Sequence, residues 1–297
     1  TYNEHNLSIG AQISKTQGKT LHFDATAETW LTGEDSGQLR IDGKIDLNFP
    51  LFGDTVTLAA NAFFHRDNPS FYFRHYHSKH FWWDYSSLSK TTHSRIQGIF
   101  SYQKTHTTLR FAVDELDNLT YFGQSYTMGD TEHPRKDVAL HVGQGGATSL
   151  LTVQLEQNFN LGPLYWENVI TYQKSSKEDV IAVPDLNIYS NLYLHFKIAR
   201  VLKCDLGGDI RYFSKYYAPD YSPALGSYTI QEGSNRVKTG NYPIINVYAN
   251  FHLKHTRFFV MMSHINAGSG KKDYFLTPHY PINDRILRFG LSWNFFN

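Results

Sequence analysis

Apolar and polar residues alternate along most of this chain with a period of two. In the stretch 39–49 the odd positions are Leu39, Ile41, Gly43, Ile45, Leu47 and Phe49, and between them stand Arg40, Asp42, Lys44, Asp46 and Asn48. Successive side chains of a strand point to opposite faces of a sheet, so this segment is predicted to be a strand with one oily and one wet face. Leu21, Phe23, Ala25 and Ala27 stand in the same way against His22, Asp24, Thr26 and Glu28. The pattern returns at 7–13, 151–159, 188–198 and 245–254. It closes the chain, where Leu287, Phe289, Leu291, Trp293 and Phe295 alternate with Arg288, Gly290, Ser292 and Asn294. No segment sustains a helical period of 3.6, so the chain is expected to be all-β.

Strand length and loop rhythm separate this pattern from that of a soluble sandwich. The alternating runs cover about 10–13 residues, against a soluble mode near 5–6. At about 3.3 Å per residue and a tilt near 40°, about ten residues rise roughly 25 Å, the height of the apolar band of an outer-membrane barrel. Short turns at 15–19, 50–54, 104–107, 161–163 and 254–257 alternate with long polar stretches at 66–92, 123–136, 175–184, 214–241 and 267–284. Turns at one end and loops at the other are the layout of such a barrel. The expectation is an antiparallel transmembrane β-barrel of the outer-membrane type, with about 12–14 strands in one domain over residues 1–297. The best count is about thirteen, whereas bacterial single-chain barrels use even numbers. The first and last strands would then descend together, so either the count is off by one or strands upstream of Thr1 are missing.

Composition sharpens the picture. Aromatic residues make up 15% of the chain, with 20 Tyr and 21 Phe, while charged residues reach 19%, as a sheet with two unlike faces requires. No run of about 18 apolar residues occurs, so a transmembrane helix is not expected. A net charge of +1 provides no basic stripe, and no nucleic-acid partner is expected. Cys204 is the single cysteine, which excludes an internal disulfide and a thiolate zinc cluster. It shares parity with Leu202 and Leu206 and is expected to face lipid. The first residues, 1–10, lack the character of a signal peptide. Trp166 follows a short turn and Trp293 precedes the C-terminus, both on the apolar row, so they are predicted to form a periplasmic aromatic girdle.

Candidate chemistry is sparse. His75, His77 and His80 lie close together, but a solvated outer loop accounts for them better than a metal site does. Ser263 and His264 are neighbours on opposite faces of a strand and cannot act as a pair. No Gly-flanked serine elbow and no His-Glu-x-x-His helix occurs, so neither an enzyme nor a cofactor is expected. What remains is the polar row itself. Asp24, Glu28, Arg40, Asp42, Lys44, Asp46, Glu156, His195, Lys197, Asp209, Arg211, His252 and Arg288 are predicted to line a water-filled lumen. Both signs are mixed along the same strands, so strong ion selectivity is not expected.

Several stretches resemble the Putative porin family of Bacteroidota. They are densest at GNYPIINVYANFHLKHTRFFVMMSHIN (Gly240–Asn266) and PHYPINDRILRFGLSWNFFN (Pro278–Asn297), with further likeness at Asn6–Phe23, His75–Asp84 and Ile188–Lys197. Members of that family are longer at the N-terminus, so the resemblance implies that this chain corresponds to a C-terminal part. One departure is GQGGATS (Gly143–Ser149), irregular where a smooth strand is expected. The combined expectation is a channel in the outer membrane of a Gram-negative bacterium, admitting small hydrophilic solutes by passive diffusion and contacting outer-membrane lipid. It could stand as a homo-oligomer or within a surface complex. Two alternatives are a non-conducting accessory barrel of an outer-membrane complex and a soluble carbohydrate-binding β-sandwich.

Overall fold

The computed structural model describes residues 3–51, 53–132, 134–270 and 274–295. Its main body is one 13-stranded antiparallel sheet. The strands are β1 (Leu7–Lys15), β2 (Leu21–Thr32), β3 (Leu39–Leu51), β4 (Asp54–Asp67), β5 (Thr91–Tyr102), β6 (Thr107–Asp117) and β7 (Thr148–Leu161). They continue with β8 (Leu164–Ser175), β9 (Leu186–Ile198), β10 (Leu202–Phe213), β11 (Ile244–Leu253), β12 (Thr256–Ser263) and β13 (Ile286–Trp293). Each pairs with the strand before and after it, in an unbroken up-and-down meander. Among the described residues β1 pairs with β2 and β13 with β12, but not with each other, so the sheet is open. An odd number of mutually antiparallel strands also leaves β1 and β13 running in the same direction.

The connections sort by end. Those at 16–20, 52–53, 103–106, 162–163, 199–201 and 254–255 are tight, and at the other end 68–90, 118–147, 176–185, 214–243 and 264–285 are long while 33–38 is short. In the turn after β7, Gly162 takes a φ of 61°, a left-handed conformation that glycine adopts without steric cost. The loop at 118–147 is longer than the sequence pattern implies, because it contains a hairpin of its own, Leu119–Met128 against Arg135–Gly145. The irregular GQGGATS stretch falls where that hairpin hands over to β7. At Gly145 a Cβ would stand 2.4 Å from Val180 Cγ1, so the close approach of loop 176–185 requires glycine there.

Register fixes the two faces. Ile45 stands opposite Phe23 and Ala60, while its neighbour Lys44 stands opposite Asp24 and Asn61. One face carries apolar side chains turned outward and uncovered: Ile9 is 62% exposed, Ile96 70% and Phe289 79%. Where polar residues interrupt this face they satisfy each other, as Ser190 Oγ donates to Asn168 Oδ1 at 2.7 Å and Trp166 Nε1 donates to Ser190 Oγ at 2.8 Å. Cys204 does lie on the outer face, in register with Phe196 and Phe251, but it is fully buried rather than open to lipid.

A hydrophobic core exists, and it sits in the loops. Trp83, Phe122 and Leu225 are buried together, with Tyr72, Phe73, Tyr76, Phe81, Leu140 and Val142 packed against them. These residues come from loops 68–90, 118–147 and 214–243. The short strand Ser227–Gln231 adds in parallel to Leu119–Met128 and in antiparallel to Asp220–Ser222, giving a four-stranded sheet built from two loops. The sandwich alternative fails on this arrangement: a sandwich buries its apolar rows between two sheets, and here the rows of the large sheet face outward.

The exposed apolar face is predicted to meet hydrocarbon. Ile45→Lys should therefore destabilise the bilayer-inserted protein by about 2–4 kcal/mol, whereas Asn61→Lys on the opposite face should cost far less. Urea unfolding of the full-length protein from lipid vesicles measures both.

Candidate functional site

Pairing carries one row of side chains without interruption from β1 to β13, and each of the thirteen polar residues singled out above falls on it. Asp24 stands opposite Lys44 and Glu28 opposite Arg40. Asp42 and Asp46 share the row on β3, and Glu156 reaches Arg110 at 3.1 Å. His195, Lys197, Asp209 and Arg211 occupy it on β9 and β10, His252 on β11 and Arg288 on β13. Trp166 and Trp293 lie on the other face, both at the tight-turn end and about half exposed. The Phe159 ring lies tilted beside Trp166 at 5.4 Å, and Phe295 lies parallel to Trp293 at 5.8 Å.

Many of these polar residues brace the sheet. His22 meets Asp46 at 2.8 Å, His65 meets Asp42 at 3.0 Å, His93 meets Asp114 at 2.7 Å and His195 meets Asp205 at 2.6 Å. Each pair joins adjacent strands, the arrangement in which cross-strand side chains stabilise a sheet. Further along, Asn191 and Tyr193 both donate to Glu167, and Tyr248 donates to Asn191 at 2.8 Å. Asp24 and Glu28 accept instead from Gln12 and Ser8 of β1, and Arg40 pairs with Asp67 of β4 at 2.9 Å. The row is polar without a dominant sign.

At the long-loop end the row opens into a cavity of about 920 Å³ between β8–β13 and loop 264–285. Arg211, Tyr189, Met261 and Arg288 line it from the sheet, and Leu276, Pro281 and Ile282 from the loop. A buried histidine holds this loop down. His264 Nδ1 donates to the Asn283 carbonyl at 2.8 Å, and its Nε2 lies 2.8 Å from the Tyr242 hydroxyl, which also reaches the Asn266 carbonyl at 3.0 Å. The His264 backbone N–H donates to Asn246 Oδ1 at 3.0 Å, and Tyr274 donates to Asp284 at 2.6 Å. The phenol of Tyr274 is held above its ordinary range, first by that hydrogen bond and then by burial; burial also raises that of Tyr242.

Three loops meet at one carboxylate. Asp220, in loop 214–243, is 1% exposed and accepts from Gln124 at 3.2 Å and Arg135 at 3.3 Å, both in loop 118–147, while His279 of loop 264–285 lies 3.2 Å away. Tyr126 donates to the Asn235 carbonyl, Tyr76 to that of Ala224 and Tyr72 to that of Leu225, so loop 68–90 joins as well. Sequence reasoning missed Asp220 and Tyr242 and saw His264 only as the neighbour of Ser263. Their partners lie far off along the chain and repeat with no period. His75, weighed as a metal ligand, pairs with Asp84 at 2.5 Å, and the His77 ring lies beside Trp82.

A sheet of this kind, alternating across its faces and sorting its loops by end, is matched by a family over its full length, residues 1–297. The chain belongs to the Putative porin family. No curated protein matches it. Among solved structures this porin-family chain is similar in fold to the siderophore receptor PirA from Acinetobacter baumannii, at 11% identity and a TM-score of 0.66, covering 96% of this chain and 45% of that one. PirA from Pseudomonas aeruginosa gives 12% identity and a TM-score of 0.61, with 97% and 48% covered. The copper transporter OprC gives 10% and 0.64, with 98% and 48% covered. The chain spans about half the length of these structures, and at such identities the likeness is one of fold.

Asp220→Ala should unlock the loops without unfolding the wall. It leaves the buried Gln124 amide and the partly exposed Arg135 and His279 without their shared acceptor, a loss of about 1–3 kcal/mol. Trypsin cleavage after Arg135 and Lys136 should accelerate several-fold, while the strands keep their circular dichroism.

Proposed function

We propose that this member of the porin family is an outer-membrane β-barrel through which small hydrophilic solutes diffuse passively, in a Gram-negative bacterium. The observation that carries the reading is the pairing of an uncovered apolar face with an opposite face that holds most of the sheet's charged and polar side chains. A sheet with those faces suits hydrocarbon outside and water inside. The thirteen residues from Asp24 to Arg288 on that row are then lumen-lining residues, and their mixed signs favour uncharged or weakly selective passage. Trp166 and Trp293 fit an aromatic girdle at the periplasmic rim, where an amphipathic ring is best placed.

Closure belongs to the proposal. An edge strand left in lipid would expose unpaired N–H and C=O groups at several kcal/mol each. Because β1 and β13 run in the same direction, antiparallel completion takes an odd number of further strands between them. The family resemblance and the half-length match to larger barrel structures support such strands upstream. Partners in this reading are the lipid and the solutes, with assembly into an oligomer or surface complex as a further possibility.

A second reading, a non-conducting accessory barrel, is favoured by one observation: the loops fold into a body with its own hydrophobic core. Planar-bilayer recording of the full-length protein separates the two. The porin reading expects discrete conductance steps with a small reversal potential in a salt gradient. Silence in correctly folded protein would favour the accessory barrel.

A further inference from the structure

The polar face is not uniform: from β8 to β11, in its tight-turn half, tyrosines gather on it. We propose that they form a binding site for a neutral sugar ring, a pyranoside. This deepens the porin reading by naming a solute class, and it rests on that reading only for passage of the sugar, not for its binding.

Register sets three rows side by side across these four strands. Tyr165, Tyr193, Gly207 and Tyr248 stand opposite one another in the middle row. Glu167, Asn191, Asp209 and Asn246 form the row on the long-loop side, and His195, Asp205 and Asn250 the row on the tight-turn side. The Tyr165 and Tyr193 rings stack at 5.2 Å with 11° between their planes. Tyr248 donates to Asn191 Oδ1 at 2.8 Å, although their backbones lie two strands, roughly 10 Å, apart, so its ring lies along the wall rather than standing off it. It crosses β10 beside Gly207, which has no side chain to block it. Tyr193 leans the same way and donates to Glu167 Oε1 at 2.9 Å, while Asn191 donates to Glu167 Oε2 at 3.1 Å. Both rings are thus anchored through their hydroxyls to the Asn191–Glu167 pair, and both side chains stay partly exposed.

The three tyrosines, Glu167, Asp205 and Asn250 share the lining of one cavity of about 350 Å³, the size of a small-molecule site. A row of aromatic rings between two polar rows matches a pyranose, whose C–H face is apolar and whose rim carries hydroxyls. The polar flanks are fixed before any solute arrives: Glu167 by Asn191 and Tyr193, and Asp205 by His195 at 2.6 Å. Each carboxylate oxygen keeps a lone pair for a sugar hydroxyl. A quaternary ammonium ion would use the rings and leave the flanks unmatched. A linear polyol would use the flanks and leave the rings wet.

The test is ligand-observed NMR titration of the full-length protein in micelles of a polyoxyethylene detergent, which carries no sugar. At least one of methyl glucopyranoside and methyl galactopyranoside should saturate. Sorbitol and tetramethylammonium should each bind at least about tenfold more weakly, because one lacks the ring face and the other the hydroxyls. Tyr248→Leu should weaken the pyranoside at least about tenfold and Glu167→Gln at least about threefold. Gln97→Ala, on the same face but on β5, should leave binding unchanged. Heat-shifted gel migration confirms folding, and if a tyrosine or glutamate variant does not fold, the comparison of solutes on the unmodified protein still decides. Equal binding of sorbitol, tighter binding of tetramethylammonium, absence of saturation, or indifference of both folded variants overturns the proposal. Pyranoside binding in a protein silent in bilayers would remove the porin reading and leave this site standing; conductance without pyranoside binding would do the reverse.

Discussion

A wall one molecule thick has no interior, and that constraint organises everything else in this protein. Each strand must satisfy two different surroundings with alternate residues, and every peptide group must find its partner in the neighbouring strand. The period of two is therefore obligatory: a slip of one residue would exchange the faces along a whole strand. Within the described residues the register from β1 to β13 keeps Ile45 and Phe289 on one side and Asp24 and Arg288 on the other. Stability in such a wall comes chiefly from ladder hydrogen bonds and cross-strand pairs such as His65 with Asp42, since among the described residues the buried apolar cluster lies in the loops.

The molecule places its conventional core where the backbone is free of that constraint. Loops 68–90, 118–147 and 214–243 bury Trp83, Phe122 and Leu225 as a small soluble domain would. The result is a layered object, with one physics for the wall and another for the roof. His264 and Tyr242 work at the junction, where the last long loop is pinned over the end of the polar row.

This division explains what the sequence made legible. The wall could be read because its determinant is local and periodic: parity alone assigned Glu156, Lys197 and His252 to one face and Trp166 to the other, and register agrees. The roof could not. Its hairpin Leu119–Met128 and Arg135–Gly145 alternates much as a wall strand does, so the loop was drawn too short, from 123 to 136 rather than from 118 to 147. Asp220 depends on partners in two other loops, and such long-range polar convergence leaves no trace in spacing. Cys204 shows the limit of parity, which gives the face of a residue but not the neighbours that cover it.

The shared carboxylate at Asp220 also changes what the outward surface is. Loops on barrels are ordinarily pictured as separate tethers, each free to vary in length and sequence. Here a residue gained or lost in one would shift an acceptor on which two others depend. Change in these loops would have to proceed by concerted replacement, and a binder raised against one of them would sense the state of its companions.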